Sequence, residues 1–258
     1  MTVLASPVGN SYAHISYLLF CPETHEAAAI DPFHLDVVTE AADRRGLRIT
    51  TIINTHEHWD HAGRNEQLRA LTGAKVMAPR AAAGVIERID VPLSNGDEIE
   101  LGSLRLKVRD TPGHTMTHIS LLGEDADGPY LLSGDTLFGA GVGNCGYGGH
   151  AATLFTTIES LRGSLAGATR IFPGHDYLAR NLEFTCRHEP SNRAAALLLE
   201  DARAGLRLTT FDEELGVNLF LRLDSPELRA SLAGQGYAAL GASREEIFLA
   251  LRRLRDAW

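Results

Sequence analysis

Four short apolar runs, far apart along this chain, each end on residues that can hold a metal ion. RITTIINT leads into THEHWDH (55–61). SLRLKVRD leads into TPGHT, PYLLSG into Asp135, and TRIFPG into His175. No other feature constrains the fold as much. A strand fixes its residues in line, and the loop beyond its end is where side chains from distant sequence can meet. A chain built this way brings four strand ends to one edge. The candidates gathered there are His56, His58, Asp60, His61, His114, Asp135 and His175. Gly113, Gly134 and Gly174 each immediately precede one of them, where a glycine permits a sharp turn and close backbone approach.

The rest of the first 175 residues alternates strand and helix signals. AHISYLLF and EAAAID read as strands, and DVVTEAADRRGL as a helix closed near Gly46. In SLRLKVRD, Leu104, Leu106 and Val108 face one way, and Arg105, Lys107 and Arg109 the other. Leu154, Ile158, Leu161 and Leu165 recur at the spacing of one helix face. After about residue 178 the strand signals stop. NLEFTCRHEP, SNRAAALLLEDARAGL and SREEIFLALRRLRDAW are helical in pattern, the last opening on a Ser243–Glu246 capping box. The expected organisation is an α/β body over 1–178 and a small helical C-terminal domain over 179–258.

Composition narrows the function. The chain has 258 residues, 44% apolar and 22% charged, with a formal net charge of −9. That balance argues against a nucleic-acid or membrane-surface role. No apolar run is long enough to span a membrane, and MTVLASPVGN lacks the basic-then-apolar order of a secretory signal. Cys21, Cys145 and Cys186 are odd in number and widely spaced, as reduced thiols of a cytoplasmic protein would be.

Five histidines and two aspartates suit Zn²⁺, and can also suit Fe²⁺ or Mn²⁺. Seven ligands exceed what one tetrahedral ion uses and match two divalent ions. A carboxylate and a water, as hydroxide, can bridge two ions. Two aspartates and a hydroxide offset three of the four positive charges, so the centre stays electrophilic. Structural zinc sites usually close with four ligands, often thiolates, and no cysteine lies in these motifs. His14, His25, His34, His118, His150 and His188 stand outside the pattern and read as surface or satisfied core residues.

THEHWDHAGRNEQL, TPGHT, LLSGDTLF and PGHDY resemble, in order, the metal-binding motifs of the metallo-β-lactamase fold. Within it the chain is most similar to glyoxalase II, the hydroxyacylglutathione hydrolases. Trp59, the AGRN of 62–65 and GDTLF match that group, and NLEFTCRHEPSN and TTFDEELGVNLFLR resemble its C-terminal domain. The resemblance implies an αββα sandwich. His56, His58 and His114 would bind one ion, Asp60, His61 and His175 the second, and Asp135 would bridge them. Asp60 and Asp135 would thereby carry the catalytic role, setting a metal-bound hydroxide that attacks the thioester of S-lactoylglutathione. The products would be D-lactate and glutathione.

For the substrate, the resemblance points to Tyr177 and to Arg252 and Arg255. These arginines are three apart on one helix face and suited to clamping a carboxylate. A solvated basic helix end is the alternative. In the glycine-rich loop GAGVGNCGYGGH, Asn144 stands near a position that is basic in the family, and Tyr147 stands at a shifted aromatic position. A related thioester or another thiol therefore stays open. So do two other readings. One is a persulfide dioxygenase, a relative of the same fold, with one Fe²⁺ on His56, His114 and Asp135. The other is a non-catalytic metal-binding module, told apart by its lack of turnover.

Overall fold

Parallel strands are buried on both faces and read as near-continuous apolar runs; RITTII and EAAAI do. The structure, a computed structural model, describes residues 3–7 and 13–258. β1 (Val3–Pro7), β2 (Ile15–Phe20) and β3 (Glu26–Ile30) pair antiparallel. β4 (Arg48–Ile53), β5 (Lys75–Pro79) and β6 (Val91–Leu93) then add in parallel, giving one six-stranded sheet in sequence order. Parallel neighbours need a crossover. α1 (Leu35–Asp43) supplies it between β3 and β4; α2 (Trp59–Ala62) and α3 (Asn65–Thr72) supply it between β4 and β5. Val38 of α1 and Leu68 of α3 pack in one buried cluster with Leu18, Ala29, Ile52 and Val76.

The second sheet holds β7 (Glu98–Leu101), β8 (Leu104–Asp110), β9 (Ile119–Asp125) and β10 (Gly128–Gly134). β13 (Arg170–Pro173) lies beyond β10, in the order β13-β10-β9-β8-β7. The expected alternation of β8 holds. Leu106 and Val108 are buried, while Arg105 and Lys107 are exposed. The sheets meet where Tyr17 of β2 packs edge-on to Phe172 at 5.6 Å and donates its hydroxyl to Pro173 O at 2.7 Å.

The chain divides into two compact units. One runs through Thr111 and adds Thr117–Gly134 and Phe172–His175, so it contains the six-stranded sheet and β7 to β10 of the second, with the last two residues of β13. The other comprises Pro112–Met116, Asp135–Ile171 and Asp176–Trp258. In it, β11 (Leu137–Phe138) and β12 (Gly141–Val142) form a two-stranded ribbon before α4 (Ala151–Arg162). α4 ends short of Leu165, at Gly163, so the sequence periodicity overran the helix by one turn. α5 (Leu178–His188), α6 (Arg193–Arg203), α7 (Phe211–Val217), α8 (Pro226–Gly234) and α9 (Arg244–Asp256) follow. α7 and α9 both start on complete capping boxes, Thr210 with Glu213 and Ser243 with Glu246. α4 and α9 are joined by Phe155 against Phe248 at 5.5 Å and by an Arg244–Glu159 ion pair at 2.8 Å. No helix among the described residues is long and apolar enough to cross a membrane.

Candidate metal centre and substrate pocket

Each candidate ligand lies just past a strand. His56 follows β4, His114 follows β8, Asp135 follows β10 and His175 follows β13. Two glycines make these turns possible. Gly113 has φ +141° and Gly134 φ +48°. A Cβ on Gly134 would sit 2.6 Å from Thr55 Oγ1, and one on Gly113 2.4 Å from Leu154 Cα. The turn carrying His56–His61 is clamped from below by a buried amide pair. Asn65 Nδ2 donates to Asn54 Oδ1 at 2.7 Å, and Asn54 Nδ2 donates to His61 O at 2.9 Å.

Ligand atoms fall into three groups, each within 4.8 Å: His56, His58 and His114; Asp60, His61 and His175; and His56, His61 and Asp135. Nε2 of His56 is 3.0 Å from His58 Nδ1, and Nε2 of His61 is 3.4 Å from His175 Nε2. Asp60 Oδ2 lies 3.4 Å from His175 Nε2, and Asp135 Oδ2 lies 3.4 Å from His114 Nε2. Ligands at 2.0–2.1 Å around a tetrahedral ion stand roughly 3.3 Å apart. The donor set therefore fits divalent ions. His56, His61, His114, Asp135 and His175 are all buried, where so many close lone pairs need a proton or a cation between them.

Three of the imidazoles are oriented through the opposite ring nitrogen. His61 Nδ1 faces the buried Asp31 Oδ2 at 2.9 Å, and Asp31 also accepts from Thr55 N at 2.8 Å and Thr55 Oγ1 at 2.7 Å. Thr55 Oγ1 lies 3.0 Å from His56 Nδ1. His114 Nδ1 lies 2.7 Å from Asn144 O. A carbonyl can only accept, so His114 carries its proton on Nδ1 and presents a bare Nε2. Such partners fix tautomer and ring direction. Asp31 itself has φ +47°, an uncommon backbone state for a residue with a side chain.

The second unit contains a cavity of about 600 Å³. Phe138, Tyr177, Phe184 and Trp258 give it aromatic walls, and Arg180 and Arg255 bring positive charge. The two guanidinium groups lie over the Trp258 ring at 5.9 Å and 5.2 Å. Burial, then the nearby Arg180 and Arg252, push Arg255 down to about 10, which leaves it charged at neutral pH. Asn144 and Tyr147 also line the cavity, Tyr147 with 76% of its surface exposed.

Residues 24–175 match the metallo-β-lactamase superfamily, and residues 176–258 match the hydroxyacylglutathione hydrolase C-terminus. The hydroxyacylglutathione hydrolase of Polaromonas sp. strain JS666 is 42% identical over 257 residues, covering 97% of each chain. The chain belongs to the hydroxyacylglutathione hydrolase family. The Nitrosococcus oceani hydroxyacylglutathione hydrolase is also 42% identical, over 96% of this chain and 97% of its own. Among solved structures, ETHE1 from Myxococcus xanthus superposes with a TM-score of 0.70 at 25% identity, covering 97% of this chain and 91% of that one. The expected fold, a metallo-β-lactamase α/β sandwich with a helical C-terminal region, is the fold found. As a hydroxyacylglutathione hydrolase the chain is a metal-dependent hydrolase.

For this hydrolase the structure redraws the expected arginine clamp. Arg252 and Arg255 do not present their guanidinium groups alike. Arg252 is 5% exposed; its Nη1 donates to Val142 O at 3.0 Å and Gly143 O at 3.1 Å, and Nη2 pairs with Asp256 at 2.8 Å. Helix spacing put the two arginines on one face but could not tell which would meet backbone carbonyls. Arg255 donates to Asn181 Oδ1 at 3.1 Å and is only half-buried. Sequence reasoning missed Asp31 and Arg180. Asp31 does obey the strand-end rule, closing the EAAAI run of β3.

Proposed function

We propose that the centre holds two divalent ions, Zn²⁺ before Fe²⁺ or Mn²⁺, and cleaves S-lactoylglutathione or a related glutathione thioester. His56, His58 and His114 would hold one ion, Asp60, His61 and His175 the other, with Asp135 shared. The observation that carries the reading is the third ligand group. Asp135 falls with one histidine from each of the other two sets, as a bridging carboxylate must. When bound, such ions supply charge stabilisation and lower the pKa of water towards about 7.

The protein's own residues orient and bind. Asp31, Thr55 and Asn144 keep the ligating nitrogens bare. Residues 179–258 form the substrate-binding domain in this reading, and the aromatic cavity takes the glutathione portion. Arg255 and Arg180 meet its carboxylates, Tyr177, Asn144 and Tyr147 line its path, and Arg252 shapes the wall through the carbonyls it holds. A thiolate leaves without protonation, so no general acid is required. Localisation in the cytoplasm belongs to the same proposal; one relative from Arabidopsis thaliana, 31% identical, is named a cytoplasmic hydroxyacylglutathione hydrolase.

The test is metal analysis of protein purified without chelator, combined with turnover. Two equivalents of metal and release of D-lactate from S-lactoylglutathione are expected. Oxygen consumption on glutathione persulfide, with one Fe²⁺ per chain and no thioester cleavage, would replace this reading with the dioxygenase. Inertness on all of these substrates would leave a binding module.

A further inference from the structure

The turn after β11, residues 139–144, has an unusual way of being held. Five of its six carbonyls are taken by side chains from elsewhere. Asn181 Nδ2 donates to Gly139 O at 2.9 Å, and Asn218 Nδ2 donates to Gly141 O at 3.1 Å. Arg252 takes the carbonyls of Val142 and Gly143, and His114 takes that of Asn144. The one N–H of the turn held by a side chain, that of Ala140, points at the carboxylate of Glu214, at 3.0 Å from Oε1 and 2.9 Å from Oε2.

Ala140 is where this turn is strained. Its φ of +54° is left-handed, a state that costs a residue with a Cβ. The conformation persists because its surroundings over-determine it. Glu214 is fully buried on α7 and is itself fixed, accepting from Thr209 Oγ1 at 2.7 Å and Asn218 Nδ2 at 2.8 Å. A buried carboxylate is a costly way to fill space that an apolar side chain would fill more cheaply. It is also a strong acceptor for a backbone N–H that has no strand or helix partner. The neighbouring glycines leave no slack. A Cβ on Gly141 would sit 2.5 Å from Asn181 Nδ2, and one on Gly143 2.1 Å from Asp135 O.

The turn has two functional ends. Ala140, Gly141 and Val142 wall the aromatic cavity, and Asn144 O sets the tautomer of His114. We propose that Glu214 is a positioning residue for this hydrolase: through Ala140 it locks the turn that forms the cavity wall and aims His114. Glu214 does not itself line the cavity or belong to a ligand group, so it acts only through the turn. The consequence for activity rests on the hydrolase reading; the consequences for the turn and for His114 do not.

The experiment uses the full zinc-loaded chain at pH 8, above the value of about 7 to which burial pushes Glu214, with Glu214→Gln and, as control, Thr209→Val. Glutamine keeps the volume but replaces one acceptor oxygen by a donor. Thr209→Val removes a partner of Glu214 that does not touch the turn. For Glu214→Gln, hydrogen exchange over residues 136–150 should speed up at least about tenfold while β4 is unchanged. One zinc equivalent should leave to a chelator about tenfold faster, the lower end of what a lost outer partner costs. KM for S-lactoylglutathione should rise and kcat fall. Thr209→Val should lower the thermal midpoint without moving any of these. Equal behaviour of the two variants, with exchange of the turn and zinc release as in wild type, would overturn the proposal. Should Glu214→Gln not fold, Glu214→Asp, which keeps the carboxyl group but falls short of Ala140, is expected to show the same selective loosening, and its absence is equally damaging. Exchange and zinc release are read without a thioester. A wild-type chain inert on thioesters thus sinks the hydrolase reading and leaves this one to be judged by itself.

Discussion

Asp31→Asn should strip one ion from the centre without unfolding the chain. The carboxylate has two separate duties. Oδ1 accepts Thr55 N–H at 2.8 Å, which the amide oxygen of asparagine can still do. Oδ2 accepts Thr55 Oγ1 at 2.7 Å and faces His61 Nδ1 at 2.9 Å, and there asparagine presents an NH₂. The threonine hydroxyl can turn and accept. His61 can accept only by moving its proton to Nε2, the atom 3.4 Å from His175 Nε2. A protonated Nε2 cannot ligate. Recovering it forces two buried donors against each other, a penalty of about 1–3 kcal/mol. That corresponds to roughly 10–100-fold in metal affinity, the range typical of lost outer partners. Competition against a chromophoric chelator measures the affinity, and ¹⁵N imidazole spectra of the metal-free protein report the tautomer. An Asp31→Asn chain that keeps Nδ1–H on His61 and holds both ions as tightly as wild type would refute the argument.

Asp60→Ala is expected to lose one of two metal equivalents and at least ~10²-fold in kcat on S-lactoylglutathione while staying folded. Its control, His114→Ala, should be damaging under the hydrolase and dioxygenase readings alike, whereas an Asp60→Ala chain that keeps its activity and consumes oxygen on glutathione persulfide would favour the mononuclear iron reading. Arg255→Ala and Arg180→Ala should mainly raise KM for glutathione thioesters, since in the proposed reading both would touch only the remote end of the substrate. Unchanged KM in both would mark a solvated basic surface. Arg252→Ala should in addition lower the thermal midpoint, because it leaves two carbonyls of the 139–144 turn without their donor. Burial pushes Glu214 from 4.5 up to about 7, so the folded chain keeps a proton that the unfolded chain loses between those values. Its stabilising contribution is complete below pH 4.5 and is lost as pH rises through 7, at most ~3 kcal/mol. Thermal midpoints at pH 5.5 and 8 should therefore differ less in Glu214→Gln than in wild type, and an identical slope would contradict this.

Much of this was legible in the residues. Each metal-ligand candidate could be read at a strand end because a short apolar run, or in β8 an apolar alternation, marks the strand up to its loop, and that pattern is a local property. Helix starts were equally readable where a cap was present: Ser243 and Glu246 form the box their spacing suggests. The short or polar elements were harder. β5 and β6 have little alternation to display, and α2 has only four residues, held by what lies around His61 rather than by propensity.

The chain's residues by themselves determined the chemistry: which donor types are present, how many, and that they follow strands. Those facts depend on side-chain identity and neighbours in sequence. Tertiary structure alone settled which partners turn His61 and His114. That His61 leans on Asp31, 30 positions before it, follows from β3 and β4 lying side by side. That His114 leans on a carbonyl at 144, and that this carbonyl sits in a turn braced by Glu214, follows from contacts across 30 and 74 residues. So does the fate of Arg252, whose helix face is readable but whose guanidinium spends its donors on Val142 and Gly143, 110 and 109 residues away. Hydrogen-bond partners at such separations are chosen by packing, and packing is a property of the whole chain.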